Sequence, residues 1–155
     1  MPCTLRQADA EDFEFCYRLN EINFRCLVEE LRGWDDAAER AAMQDQLRPR
    51  LDAIVQLEGR DVGHFGVVEH SDHVELRMIA LLPEVQGRGV GTAVIRDLLR
   101  DARSRNKPVS LSVTEQNTGA IRLYNRLGFI TVRIRDQPEK CVRKVEMIAA
   151  VDAGY

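Results

Sequence analysis

The segment from His73 to Arg105, HVELRMIALLPEVQGRGVGTAVIRDLLRDARSR, constrains the fold more than any other part of the chain. Leu76-Arg77-Met78-Ile79-Ala80-Leu81-Leu82 is nearly continuously apolar, which predicts a strand buried on both faces, and Pro83 ends it. Beyond a short turn, Val90, Ala93, Val94, Leu98, Leu99 and Ala102 recur at helical spacing, with Arg96, Asp97, Arg100, Asp101 and Arg103 on the other side. A long amphipathic helix follows the strand. Val109-Ser110-Leu111-Ser112-Val113 then alternates as a further strand, parallel to its predecessor because a helix crosses between them, and this sets an α/β class.

Gln86-Gly87-Arg88-Gly89-Val90-Gly91-Thr92 joins strand to helix, with glycine at every second position. The backbone is therefore bare of Cβ atoms where the helix begins. The first N–H groups of a helix have no intrahelical partner, and with the helix dipole they form a site for an anion, of which phosphate is the obvious candidate. Such turns also simply cap helices. The pattern is neither of two familiar phosphate loops: the dinucleotide fingerprint needs glycine where Thr92 stands, and the nucleotide P-loop needs a Gly-Lys-Ser/Thr ending.

The pattern Q-x-x-G-x-G after an apolar strand and a proline resembles motif A of the GNAT family of acetyl-CoA-dependent N-acetyltransferases. Downstream, Asn117-Thr118-Gly119-Ala120-Ile121-Arg122-Leu123-Tyr124-Asn125-Arg126-Leu127-Gly128-Phe129 resembles the family's motif B, N-x-x-A-x-x-L-Y-x-x-L-G-F, at the expected distance. The resemblance extends over residues 3 to 148, with the specific motifs confined to 75 to 129. It implies one acetyltransferase domain over residues 1–155, with a GNAT-type mixed sheet of about six or seven strands, splayed between two parallel ones, and about four helices. It also implies acyl-CoA as the donor, with acetyl-CoA expected, and no metal. Carried over position by position, Ile79, Ala80 and Leu81 offer backbone groups to the pantetheine arm. Gly87, Arg88, Gly89, Val90, Gly91 and Thr92 hold the pyrophosphate, Gln86 is counted with the cofactor-binding residues, and Asn117 hydrogen-bonds the cofactor. The side chains of Leu76, Met78, Ile79 and Leu81 are expected in the core. The implied partner is a small-molecule or peptide amine; a homodimer is compatible with the pattern.

Acetyl transfer to an amine needs an unprotonated nitrogen, and alkylammonium pKa values lie near ~10, so a base is required at neutral pH. Glu75 is the candidate. It stands four residues before Ile79, where histone-type members of the family carry their base, and a carboxylate in an apolar pocket can serve with its pKa raised. It reads equally as a solvated residue at a strand start. Many amino-terminal acetyltransferases of the family instead place a glutamate five residues before the motif B asparagine. Ser112 stands there in this chain, and Glu115 is only a weak substitute. Tyr124 would donate a proton to the departing thiolate, a phenol pKa of ~10 being matched to an alkyl thiol. Ala120, Ile121, Tyr124 and Leu127 share one helical face, so Tyr124 also reads as a core residue. The alternative to an enzyme is a degenerate acyl-CoA-binding or regulatory module.

Elsewhere, Thr4–Gln7 reads as a first strand, and the acids of Ala8–Asp12 suit a helix N-terminus. Phe13, Cys16, Tyr17, Phe24, Leu27, Val28 and Leu31 form a helical stripe, which Phe15, Leu19 and Ile22 widen until Gly33 and Trp34 break the helix. Asp35 or Asp36 caps a second helix running to Leu47. Ile54–Leu57 and Val62–Val68 predict an antiparallel hairpin; a helix over Thr118–Leu127 and strands over Phe129–Ile134 and Cys141–Ile148 complete the pattern. With 45% hydrophobic and 30% charged residues, the 155-residue chain suits one compact domain. A net charge of −3 leaves no footprint for nucleic acid or anionic lipid, and no apolar run of some ~18 residues is present to span a membrane. Cys3, Cys16, Cys26 and Cys141 lack metal-ligand spacing, and the start of the chain has no signal-like segment, so a reducing cytoplasm is the expectation. His64, His70 and His73 fit no catalytic pattern and read as loop or strand surface. Glu29, Glu30 and Trp34 stand where the first two helices of GNAT proteins wall the acceptor site, but read as helix-end surface.

Overall fold

The computed structural model describes residues 3–151. Its elements in chain order are β1 (Cys3–Gln7), α1 (Phe13–Arg32), α2 (Asp36–Gln46), β2 (Ala53–Leu57), β3 (Arg60–Glu69), β4 (Val74–Leu81), α3 (Val90–Ser104), β5 (Val109–Thr114), α4 (Thr118–Arg126), β6 (Ile130–Gln137) and β7 (Val142–Ala149). Short 3-10 turns occupy Ala10–Asp12, Pro83–Val85 and Pro138–Lys140. The seven strands are hydrogen-bonded in the order β1-β2-β3-β4-β5-β7-β6. β4 and β5 are the parallel pair, in a register that runs from Val74↔Val109 to Leu76↔Leu111 and ends there. The expected mixed α/β sheet with four helices is the observed fold. No helix among the described residues is long and apolar enough to cross a membrane.

The described residues divide into two compact units, 3–66 with 78–91, and 67–77 with 92–151. In the first, Ala8, Cys16, Tyr17, Met43, Leu47 and Ile54 form a core against which Phe13, Phe15 and Trp34 pack. Trp34 tilts against Tyr17 at 6.3 Å between ring centroids, so it is a packed residue and not helix-end surface. α1 starts after a reciprocal cap: Asp9 accepts from the Glu11 N–H at 2.8 Å, and Asp12 accepts from the Asp9 N–H at 2.9 Å. Gly33, at φ 80°, ends the helix in a conformation that disfavours side chains. Ile22 departs from the expected stripe and is 54% exposed, because the true core face follows Cys16, Leu19 and Val28.

His64 is a second departure. It is 1% exposed, with Nε2 2.8 Å from Asp52 Oδ2, which also accepts from the Arg48 N–H at 3.0 Å. The approach depends on Gly66, where a Cβ would lie 2.7 Å from Asp52 Oδ1. A buried imidazole is tolerable because it is paired with a carboxylate.

In the second unit, Val74 and Leu76 of β4, Val109, Leu111 and Val113 of β5, and Val145, Met147 and Ala149 of β7 are buried. Val94, Ile95, Leu99 and Ala102 of α3 are buried as well, and Ile95, outside the expected stripe, is fully so. The central strand is not covered uniformly on both faces: Glu75, Arg77, Met78 and Ile79 are half-buried.

Arg6 ties β1 into the first unit through two carboxylates, at 2.7 and 3.1 Å to Asp12 and 2.9 and 3.3 Å to Asp61. These charge-assisted bonds hold both carboxyl groups below their ordinary range, and Asp12 is itself buried. A depressed carboxyl pKa stabilises the fold above the unfolded-state value and loses that contribution as pH falls through the folded one. Arg6→Met is therefore expected to cost roughly 1–3 kcal/mol near neutrality. Thermal unfolding from pH 7 down to about pH 3 should show the gap to wild type closing in acid; a gap constant with pH would contradict the pairing.

Candidate functional site

β4 ends at Leu81, and Pro83–Val85 turn the chain toward α3. Gly87 and Gly89 have φ of 75° and 83°, the left-handed region that a Cβ disfavours, so the two glycines are what lets the turn close. Gln86, Gly87, Arg88 and Gly89 are exposed, Val90 is buried, and Gly91 and Thr92 are half-buried. The first turn of α3 thus follows directly on an exposed stretch of backbone. Gly91 also sits close to the strand, where a Cβ would lie 3.4 Å from Leu81 Cδ1.

Gln86 does more than continue the turn. Its Nε2 donates to the Leu81 carbonyl at 2.9 Å and to Asn23 Oδ1 at 2.9 Å, and Asn23 Nδ2 donates to the same carbonyl at 3.0 Å. Asn23, on α1, is a residue that sequence reasoning missed. Ala80 and Leu81 are buried and Ile79 is half-buried, so the expected core placement holds for Leu81 and only in part for Ile79 and Met78. The end of β4 also packs on Gly63, where a Cβ would meet Leu81 Cδ2 at 2.5 Å and the Ala80 carbonyl at 2.7 Å.

In the second unit, Asn117 caps α4, its Oδ1 accepting from the Ala120 N–H at 3.3 Å. Tyr124 is 8% exposed and meets Phe129 edge-on at 5.7 Å. Its hydroxyl has no hydrogen-bond partner among the described residues, and burial alone pushes the phenol up to about 12. The simple match of a phenol near ~10 to a thiol therefore does not describe this side chain.

Glu75 lies between the buried Val74 and Leu76 on the opposite face of β4, its side chain 40% exposed. It is not in an apolar pocket. His70 Nε2 is 3.1 Å from Glu75 Oε1, and His70 stacks on His73 at 4.3 Å between centroids. Ser112 is exposed, and Glu115 is half-buried, 3.6 Å from Arg143 Nε. Among the described residues no group of three His, Cys, Asp or Glu side chains could hold a metal ion.

Residues 13–129 match the profile of the acetyltransferase (GNAT) family. Over 84 residues, the chain is 33% identical to an uncharacterised N-acetyltransferase of Methanocaldococcus jannaschii; the match spans 49% of this chain and only 37% of that protein. The ribosomal-protein-S18-alanine N-acetyltransferase of Escherichia coli is 20% identical and superposes with a TM-score of 0.69, covering 99% of this chain and 97% of its own. The PaiA N-acetyltransferase of Thermoplasma acidophilum, solved in complex with coenzyme A, is 14% identical with a TM-score of 0.71, covering 94% and 98%. At these identities the two structures establish the fold.

Two glycine substitutions separate strain in the turn from packing under the strand. Gly89→Ala meets nothing within 4 Å and suffers only from its positive φ, so it should cost about 1–2 kcal/mol. Gly63→Ala drives a methyl into backbone at the end of β4 and should cost more than that. Chemical denaturation of both variants checks the order; a Gly63→Ala loss smaller than that of Gly89→Ala would contradict the close approach.

Proposed function

The chain belongs to the acetyltransferase (GNAT) family, and on that premise we propose that it moves an acetyl group from acetyl-CoA directly to a primary amine. The acceptor is a small molecule or a peptide. Backbone groups of Ile79, Ala80 and Leu81 serve the pantetheine arm, and the backbone of Gln86, Gly87, Arg88, Gly89, Val90, Gly91 and Thr92 serves the diphosphate at the start of α3. The Leu81 carbonyl is the exception within that set, since two side-chain amides already fill it. Asn117 keeps its side-chain N–H₂ for the cofactor while its oxygen caps α4.

In the reaction the neutral amine nitrogen attacks the thioester carbonyl, the C–N bond forms, the C–S bond breaks with its electron pair on sulfur, and the proton that nitrogen sheds on becoming an amide passes to the thiolate, directly or through water. Glu75 takes the proton of the acceptor ammonium, directly or through water. Tyr124 is the group assigned to the departing sulfur. A phenol at about 12 is a weaker acid than an alkanethiol of pKa ~8.5, so its task is to hold a hydrogen bond on the developing thiolate, with complete proton transfer running uphill. Burial keeps that donor protonated throughout the working range. The observation that carries the enzyme reading is this hydroxyl, without a hydrogen-bond partner of its own, on an otherwise buried side chain.

Exposed Ser112, standing where some relatives carry a glutamate, favours a second reading as an acyl-CoA-binding module without turnover. Release of free CoA thiol with a panel of amines separates the two: amine-dependent release supports the enzyme, and binding without release supports the module.

Tyr124→Phe should fold normally, since no hydrogen bond is lost, and turn over about 10²-fold more slowly. The wild-type rate should show no alkaline fall from Tyr124 below about pH 10, because the raised pKa keeps the hydroxyl protonated there. Glu75→Gln should keep acetyl-CoA affinity and lose turnover at neutral pH, with the deficit shrinking at higher pH as more amine is already deprotonated. A wild-type pH profile in that variant would move proton removal to another group.

A further inference from the structure

We infer that Asn23 is a positioning residue for the donor site, acting through Gln86 and the Leu81 carbonyl; the inference rests on the acetyl-CoA reading above. A carbonyl oxygen has two lone pairs. At Leu81 both are used, one by Asn23 Nδ2 at 3.0 Å and one by Gln86 Nε2 at 2.9 Å. The second Gln86 N–H goes to Asn23 Oδ1 at 2.9 Å, so three hydrogen bonds close a ring. That ring joins α1, the last residue of β4 and the first residue of the glycine turn.

The ring has two consequences. The Leu81 carbonyl is scaffold, because a pantetheine N–H could reach it only by displacing an amide. The turn's entry is also fixed from the side of α1, 63 residues earlier in the chain, and not by the two positive-φ glycines that follow. The geometry needs an amide at position 23. Asn23 must donate to the carbonyl and accept from Gln86 at once. An aspartate of the same size could accept from Gln86 but would aim its other oxygen at the Leu81 carbonyl, and a leucine could do neither. Asparagine is also a weak helix former in the middle of a 20-residue helix, and a purely helical role would favour other residues there.

The test uses the whole chain, with CoA titrated calorimetrically into wild type, Asn23→Asp, Asn23→Leu, Gln86→Leu and the Asn23→Leu/Gln86→Leu double variant. Each single change should weaken CoA by about tenfold. The double variant should be no weaker than the worse single one, because the ring fails on loss of either member. In steady state, Asn23→Asp should raise the acetyl-CoA KM by a similar factor, with kcat within about twofold of wild type and the thermal midpoint close to it. A merely structural tie would not produce that split. An Asn23→Asp chain with wild-type CoA affinity would overturn the inference, as would losses that multiply to about a hundredfold in the double variant. Should Asn23→Leu fail to fold, the isosteric Asn23→Asp carries the test alone. Wild type that takes up no CoA would overturn the donor reading and the inference with it; wild type that binds while Asn23→Asp binds equally well overturns the positioning role only.

Discussion

A helix cannot satisfy its own first turn: the leading N–H groups of α3 have no carbonyl one turn earlier to receive them. The residues ahead of α3 suit that constraint. Gly87 and Gly89 take left-handed conformations, so the chain can turn into the helix there without Cβ strain. Pro83 stops β4 from running on, and Val90 anchors the helix start in the interior at 2% exposure. An anion at that place supplies the missing acceptors and meets the positive end of the helix dipole. The acyl-donor reading of the whole chain follows from this backbone arrangement more than from any side chain in the turn.

Side-chain chemistry then decides what such a chain can do beyond binding. In the proposed reaction Tyr124 contributes an O–H that burial keeps protonated, to meet negative charge on sulfur as a bond breaks. Glu75 contributes a carboxylate that is half-exposed and shares a hydrogen bond with His70. As the proposed base, Glu75 is held in position by a strand.

The strand, the turn, α3 and the α4 segment were legible in sequence because each is a local pattern. Apolar runs, glycine spacing and helical periodicity are all written within one turn or one strand. The Asn23 ring was not legible, because its members stand 58 and 63 residues apart and an asparagine on a half-buried helix face reads as a solvated side chain. The buried Asp52–His64 pair was hidden for a related reason. Its signature is Gly66, whose missing Cβ makes room for Asp52, and a single glycine in a strand does not name its neighbour. Ile22 and Ile95 show the limit of periodicity itself: on a helix apolar over more than one face, spacing alone does not say which apolar residue is left in water.

The most direct test of the central claim is an amide chemical-shift titration of the isotope-labelled protein with CoA. The account predicts saturable binding with the largest shifts at the backbone N–H groups of Gly87, Gly89, Val90, Gly91 and Thr92, accompanied by Ile79 and Ala80 on β4. Saturable binding with those amides unmoved, or no binding at all, would contradict it.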